Sequence, residues 1–187
     1  MAKKTHKEKL PEEKKEFIIM DAEIKDDFCN YSYEVSTGIG IGDTHKVKGS
    51  GIVEQDMISA FVRLNVHLAA IDDAFKDVEV KNIDKFHSHE LAQLYHVTGF
   101  KIKGGEENEQ IVLVGSKHIN AGGRIGLETP KILLEVGTSY TWYNELKKES
   151  DNCRHEVALY KGGKCTAVEK EEQEDPAQLS IINAEEE

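Results

Sequence analysis

Apolar and polar positions alternate along the chain with two periods, and these divide it into strand-like and helix-like stretches. Phe17 to Met20 form a short apolar run, after which Ala22 and Ile24 fall on one side and Asp21 and Glu23 on the other. A period of two marks a strand with one buried face. Asp26-Asp27, a charged pair of poor strand formers, interrupts it. Phe28 to Val35 resumes the pattern with Tyr31, Tyr33 and Val35 on one face, which predicts a hairpin. Thr44 to Lys48 offers a third short strand. The period then lengthens. Met57, Phe61, Leu64, Leu68, Ile71 and Phe75 recur three or four residues apart, predicting a long helix over 53–76. Val62, Val66, Ala69 and Ala70 widen its apolar face, as expected of a helix clamped against a sheet. The same spacing in a dimer seam would span only about three heptads.

Strand-type sequence dominates the next part. Ser88 is a candidate N-cap for a short helix to Tyr95. Then come 96–103, a turn at Gly104–Asn108, 109–117, a turn at Asn120–Gly123, 124–127 and 131–135, a predicted meander with Pro130 at an edge or strand start. A second helix is predicted over 139–161, striped by Tyr143, Leu146, Ser150, Cys153, Val157 and Tyr160, capped by Thr138 or Ser139 and ended by Gly162-Gly163. Strands, helix, strands, helix is an α+β order: a mostly antiparallel sheet packed by two long helices, in a single domain over 17–165.

Charge changes the picture at the ends. The 187 residues carry a formal net charge of −11, but unevenly: residues 1–16 sum to about +2, 169–187 to about −7 and the stretch between to about −6. The flanks 1–16 and 166–187 lack aromatics and are expected to be disordered charged tails, either solubilising or making contact with a partner. No run approaches the roughly 18 apolar residues of a membrane span, and the Lys-rich start is not the pattern of a secretory signal. Three cysteines, Cys29, Cys153 and Cys165, without metal-ligand spacing suit a reduced, cytoplasmic setting.

Candidate chemistry is sparse, and the chain is expected not to be an enzyme, with no cofactor and no metal. Gly38-Ile39-Gly40-Ile41-Gly42 lacks the dinucleotide spacing and opens no helix, and Lys161-Gly162-Gly163-Lys164 follows a helix where a phosphate loop follows a strand. His87-Ser88-His89-Glu90 has metal-capable types but no second pair of matching spacing, so a solvated loop is expected there. His67, off the helical stripe, suits a buried hydrogen-bonded role, and Cys153 a small core residue.

The meander offers more. Phe100, Lys101, Lys103, Lys117, Arg124 and Lys131 mix cations with an aromatic, and the first hairpin adds Tyr31 and Tyr33. Cationic grooves with aromatic platforms bind single-stranded nucleic acid, so these residues are the candidate interface for single-stranded DNA. The competing reading is a solvated strand face, favoured by an acidic body. In the acidic tail, Gln178-Leu179-Ser180-Ile181-Ile182 resembles the pentapeptide with which bacterial replication proteins dock on the sliding clamp, although its leucine comes early.

In length, acidity, low cysteine content and charged tails the chain resembles small phage or prophage proteins. That resemblance implies a replication or recombination accessory in the cytoplasm of an infected bacterium, or an inhibitor of host defence that sequesters a protein or a nucleotide signal. A homo-oligomer is also compatible with the pattern.

Overall fold

The computed structural model describes residues 17–35, 42–105, 108–120 and 122–167. Residues 1–16, 168–187 with the sliding-clamp-like segment 178–182, and most of the Gly38–Asp43 stretch lie outside these; Thr166, placed in the tail by the sequence, instead exchanges backbone hydrogen bonds with Ile52.

The sequence builds a seven-stranded antiparallel sheet: β1 (Phe17–Lys25), β2 (Phe28–Val35), β3 (Thr44–Val47), β4 (Tyr95–Lys103), β5 (Gln110–His118), β6 (Arg124–Glu128) and β7 (Ile132–Leu133). The spatial order is β3-β2-β1-β4-β5-β6, with β7 also on β5. The β1–β2 turn places Asp26 and Asp27 at φ 49° and 66°. Two consecutive left-handed residues make the tight hairpin turn whose twist matches the strands, and aspartate tolerates that region. β6 and β7 form one interrupted edge: between them the Thr129 N–H donates to Leu113 O, and Thr129 Oγ1 accepts from Leu113 N–H at 2.9 Å.

The apolar stripe over 53–76 does not make one long helix. It divides at Leu64 into α1 (Gln55–Arg63) and α2 (Asn65–Ile71). Leu64 N–H bonds Phe61 O in a tighter turn, and the Asn65 side chain leaves the helix to accept from Val97 N–H at 2.8 Å. That N–H lies where β4 has run past its last pair with β1, Glu23 with Gly99, so the asparagine satisfies a donor the sheet leaves open. A 3₁₀ turn (Ile83–Phe86) takes the place of the connection over 77–86, and α3 (Glu90–Gln93) is capped by the His89 ring, not by Ser88. The last helix, α4 (Tyr143–Lys161), begins four residues later than the expected start, with Trp142 at its N-cap in place of Thr138 or Ser139. Gly163 ends it at φ 102°, as the Gly-Gly pair predicts. The α+β antiparallel class therefore stands, while the helical layer is one 19-residue helix and shorter pieces.

The contacts between helices and sheet fall on one face of the sheet. Ile19, Ala22, Tyr31, Val97, Phe100 and Leu113 point toward Phe61, Leu64, Leu68, Leu146, Val157 and Tyr160 in one continuous core. Phe61 meets Phe100 with ring centroids 5.8 Å apart, and Tyr160 meets Tyr31 edge-on at 6.1 Å. At Gly115 of β5 a β-carbon would lie 2.9 Å from Leu68 Cδ2 and 2.3 Å from His96 O, so only glycine lets β5 lie this close to α2 and to the β4 backbone. Arg154 ties α4 to the start of β5 through Glu109 at 2.7 Å, with both side chains mostly covered.

Candidate functional site: a groove on the uncovered sheet face

β1 carries an extra residue. Ile19 pairs with Tyr33 but Asp21 with Ser32, leaving Met20 in a bulge. A bulge bends its strand and sharpens the local twist. β1 pairs with β4 only over Asp21–Glu23, and toward Phe17 the two strands part. An open groove of about 820 Å³ lies there, lined among others by Ile18, Met20, Asp21, Ser32, Glu34 and Lys46. Lys101, Ile102 and Lys103 form its other wall.

Strand register explains which side chains reach it. Lys46, Ser32, Asp21 and Lys101 stand opposite one another across four strands, all on the face away from the helices. The Ser32 hydroxyl donates to Asp21 Oδ2. Lys101 Nζ reaches Glu128 Oε1 at 2.9 Å. Lys101 is opposite Val112 on β5 and Glu128 opposite Val114, so this ion pair crosses β5 diagonally. Among the described residues Lys46 and Lys103 make no ion pair. Asp21 and Glu34 keep the groove mixed in charge, but its ammonium groups stand on both walls.

The eight residues proposed from sequence do not form one surface. Tyr31 and Phe100 face the helices and are 7% and 1% exposed, so they are core residues and no stacking platform. Tyr33 shares that face: it stacks on His45 at 4.9 Å and lies under Lys161 Nζ at 4.6 Å. Lys117 is also on the helix side, bound to Asp72 at 2.8 Å and set 5.0 Å from the Tyr95 ring centre. Tyr95 donates to the same carboxylate oxygen. Burial alone would raise the Asp72 carboxyl; the bonds from Lys117 and Tyr95 outweigh it and hold it below its ordinary value. Arg124, opposite His118, is on the uncovered face but at the far corner. Lys131 lies in the break between β6 and β7, beside a separate cavity of about 490 Å³ that includes Tyr140 and Trp142. Only Lys101 and Lys103 line the groove, and Lys46, the residue the sequence reading passed over, joins them.

The histidines belong elsewhere. His67 is fully buried, its Nδ1 2.8 Å from the Tyr140 hydroxyl, and its Nε2 has no partner among the described residues. Burial and the nearby His87 push its pKa down to about 3. His87 packs near Asp84 and Glu149, with a buried Nδ1 also lacking a partner, so it is not simply a solvated loop residue. Cys29 and Cys153 are core thiols, and burial pushes Cys29 up to about 12. Among the described residues no three His, Cys, Asp or Glu side chains gather as metal ligands, and no helix is long and apolar enough to cross a membrane.

Comparison with family models, curated proteins and solved structures finds no match for this chain.

Proposed function

We propose that the protein is a binding protein that holds a phosphate-bearing ligand of nucleotide size in the open groove without converting it. The observation that carries this reading is the convergence of Lys46, Lys101 and Lys103 on one concave site with an apolar lining of Ile18 and Met20. Its volume falls in the range of small-molecule sites. Ammonium groups suit phosphate as mobile point charges, and the apolar wall suits a base. Thr44, Asp21 and Glu34 supply a hydroxyl and acceptors for sugar or exocyclic amine groups. In the phage setting that the composition resembles, such a protein sequesters a nucleotide signal of a host defence system.

Single-stranded DNA is the second reading. What favours it is that polar groups continue along the same face, to the guanidinium of Arg124 and the imidazoles of His96 and His118 at the other end of β4, β5 and β6. It ranks second because Tyr31 and Phe100 are turned into the core, leaving that reading without its main aromatic platform. Under it, the acidic tail with its clamp-like segment recruits replication partners.

A titration separates the two. A panel of fluorescent mononucleotides and cyclic dinucleotides, and labelled oligo-dT of increasing length, is added to the full chain over a salt series. The first reading expects saturable nucleotide binding that Lys46→Gln and Lys103→Gln each weaken. The second expects affinity and salt slope to grow with oligonucleotide length. Absence of binding to every probe at low salt contradicts both.

A further inference from the structure

β6 is the last strand on its side of the sheet, and among the described residues nothing pairs with its outer edge. Which backbone groups face outward follows from the hydrogen bonds at its two ends. Thr129 N–H donates to Leu113 O, and Ile119 N–H donates to Gly123 O. In an antiparallel ladder a residue directs its N–H and C=O to the same side, and the side alternates from one residue to the next. The odd-numbered residues of β6 are therefore bonded to β5, and Arg124, Gly126 and Glu128 direct their backbone groups away from the sheet. Unpaired edges of this kind are templates for another strand. β6 has few of the usual protections: Gly126 and the half-exposed Ile125 occupy its middle, and its charges lie only at its ends. Pro130, without an N–H, limits pairing beyond Glu128.

The sequence of this edge, Arg124-Ile125-Gly126-Leu127-Glu128, is complementary to itself. We infer that two copies of the chain pair antiparallel through β6, about a two-fold axis at Gly126, to form a dimer with one continuous sheet. In that register Gly126 meets Gly126 of the second copy in a mutually hydrogen-bonded pair, and Arg124 meets Glu128 twice. Ile125 meets Leu127 twice on the helix side. This is the register that sets both charged ends against opposite charges, and two-fold symmetry repeats each contact. The second copy's Arg124 would join Lys101 in flanking Glu128, extending an ion pair already present on that face. A two-fold perpendicular to the sheet keeps the faces aligned, so both lysine grooves open to the same side. The strands are short, so association is expected in the micromolar range and above.

Sedimentation velocity of the full chain, from micromolar to millimolar concentration, tests this. The expected result is a monomer–dimer equilibrium shifted to monomer by at least tenfold in Arg124→Glu, which sets two carboxylates against each other at both ends. Glu128→Lys alone also gives monomer, with the opposite repulsion. Mixing the two variants restores a dimer, because each contact is then oppositely charged. Gly126→Pro removes the outward N–H at the axis and spares the bonds to β5; it is expected to be monomeric with an unchanged circular dichroism spectrum. Should Glu128→Lys unfold on losing Lys101, Gly126→Pro decides by itself. A wild-type chain that stays monomeric throughout, or a dimer that Arg124→Glu and Gly126→Pro leave intact, overturns the inference.

Discussion

The two faces of the sheet are built from the same strands, yet they solve different problems. On the helix side several polar groups are committed: Lys117 to Asp72, Tyr160 to Gly51 O, and His67 through Nδ1 to Tyr140. Rings there meet rings, and Tyr31 and Phe100 are sealed in. On the uncovered side Lys46, Lys101 and Lys103 line a groove, and two of them, Lys46 and Lys103, have no ion-pair partner among the described residues. Adjacent residues of one strand, Phe100 and Lys101, belong to these two worlds. The contrast teaches that a lysine's role here follows from the parity of its position, since the face a side chain meets changes at every step along a regular strand.

The contrast can be broken most strongly from the helix side. Phe100→Ala opens a cavity against Phe61 and should cost about 3–5 kcal/mol in urea denaturation. What remains folded should bind groove ligands as the wild type does. A loss of affinity larger than the loss of folded protein would mean that the two faces are not independent.

Acid should act on the same side. Unfolded, His67 titrates near its ordinary 6.5; folded, burial and His87 hold it down to about 3. Between those values the unfolded chain binds a proton that the folded chain refuses, so stability falls as pH drops through that window and is undiminished above it. The contribution is on the order of a few kcal/mol. Urea midpoints measured across this range should fall with acidification, and His67→Gln should flatten that slope.

On the uncovered side the signs reverse. Lys103→Glu should change stability by less than about 0.5 kcal/mol, as for other surface changes. It should weaken nucleotide binding about tenfold, equivalent to about 1.4 kcal/mol. The smallest effect is expected from Lys117→Met, which removes a partly exposed ion pair: at most about 1 kcal/mol of stability and no change in affinity. A loss of binding in Lys117→Met would put the site on the wrong face.

Much of the fold was legible because period-two and period-four patterns were clean. The hairpin, the order of the meander strands and the Gly162-Gly163 helix end lie where the pattern places them. The break at Leu64 was not, because neither glycine nor proline marks it; its cause is the distant N–H of Val97, which draws Asn65 out of line. The candidate site was legible only in part. Grouping Phe100 with Lys101 joined residues that a strand must send to opposite faces, and the alternation itself could have separated them. Lys46 was hidden for another reason. It lies far in sequence from Lys101, and only the register β3-β2-β1-β4 brings the two onto one row.

The central claim is that the groove face, and not the helix face, holds the ligand. Its most direct test is backbone NMR of the full chain titrated with the tightest-binding nucleotide of the panel. The account predicts shift changes concentrated at Ile18–Asp21, Ser32–Glu34, Thr44–Lys46 and Lys101–Lys103, lost in the combined Lys46→Gln, Lys101→Gln, Lys103→Gln variant. Shifts centred on Asp72, Tyr95 and Lys117, or on Lys131 and Trp142, and retained in that variant would contradict it.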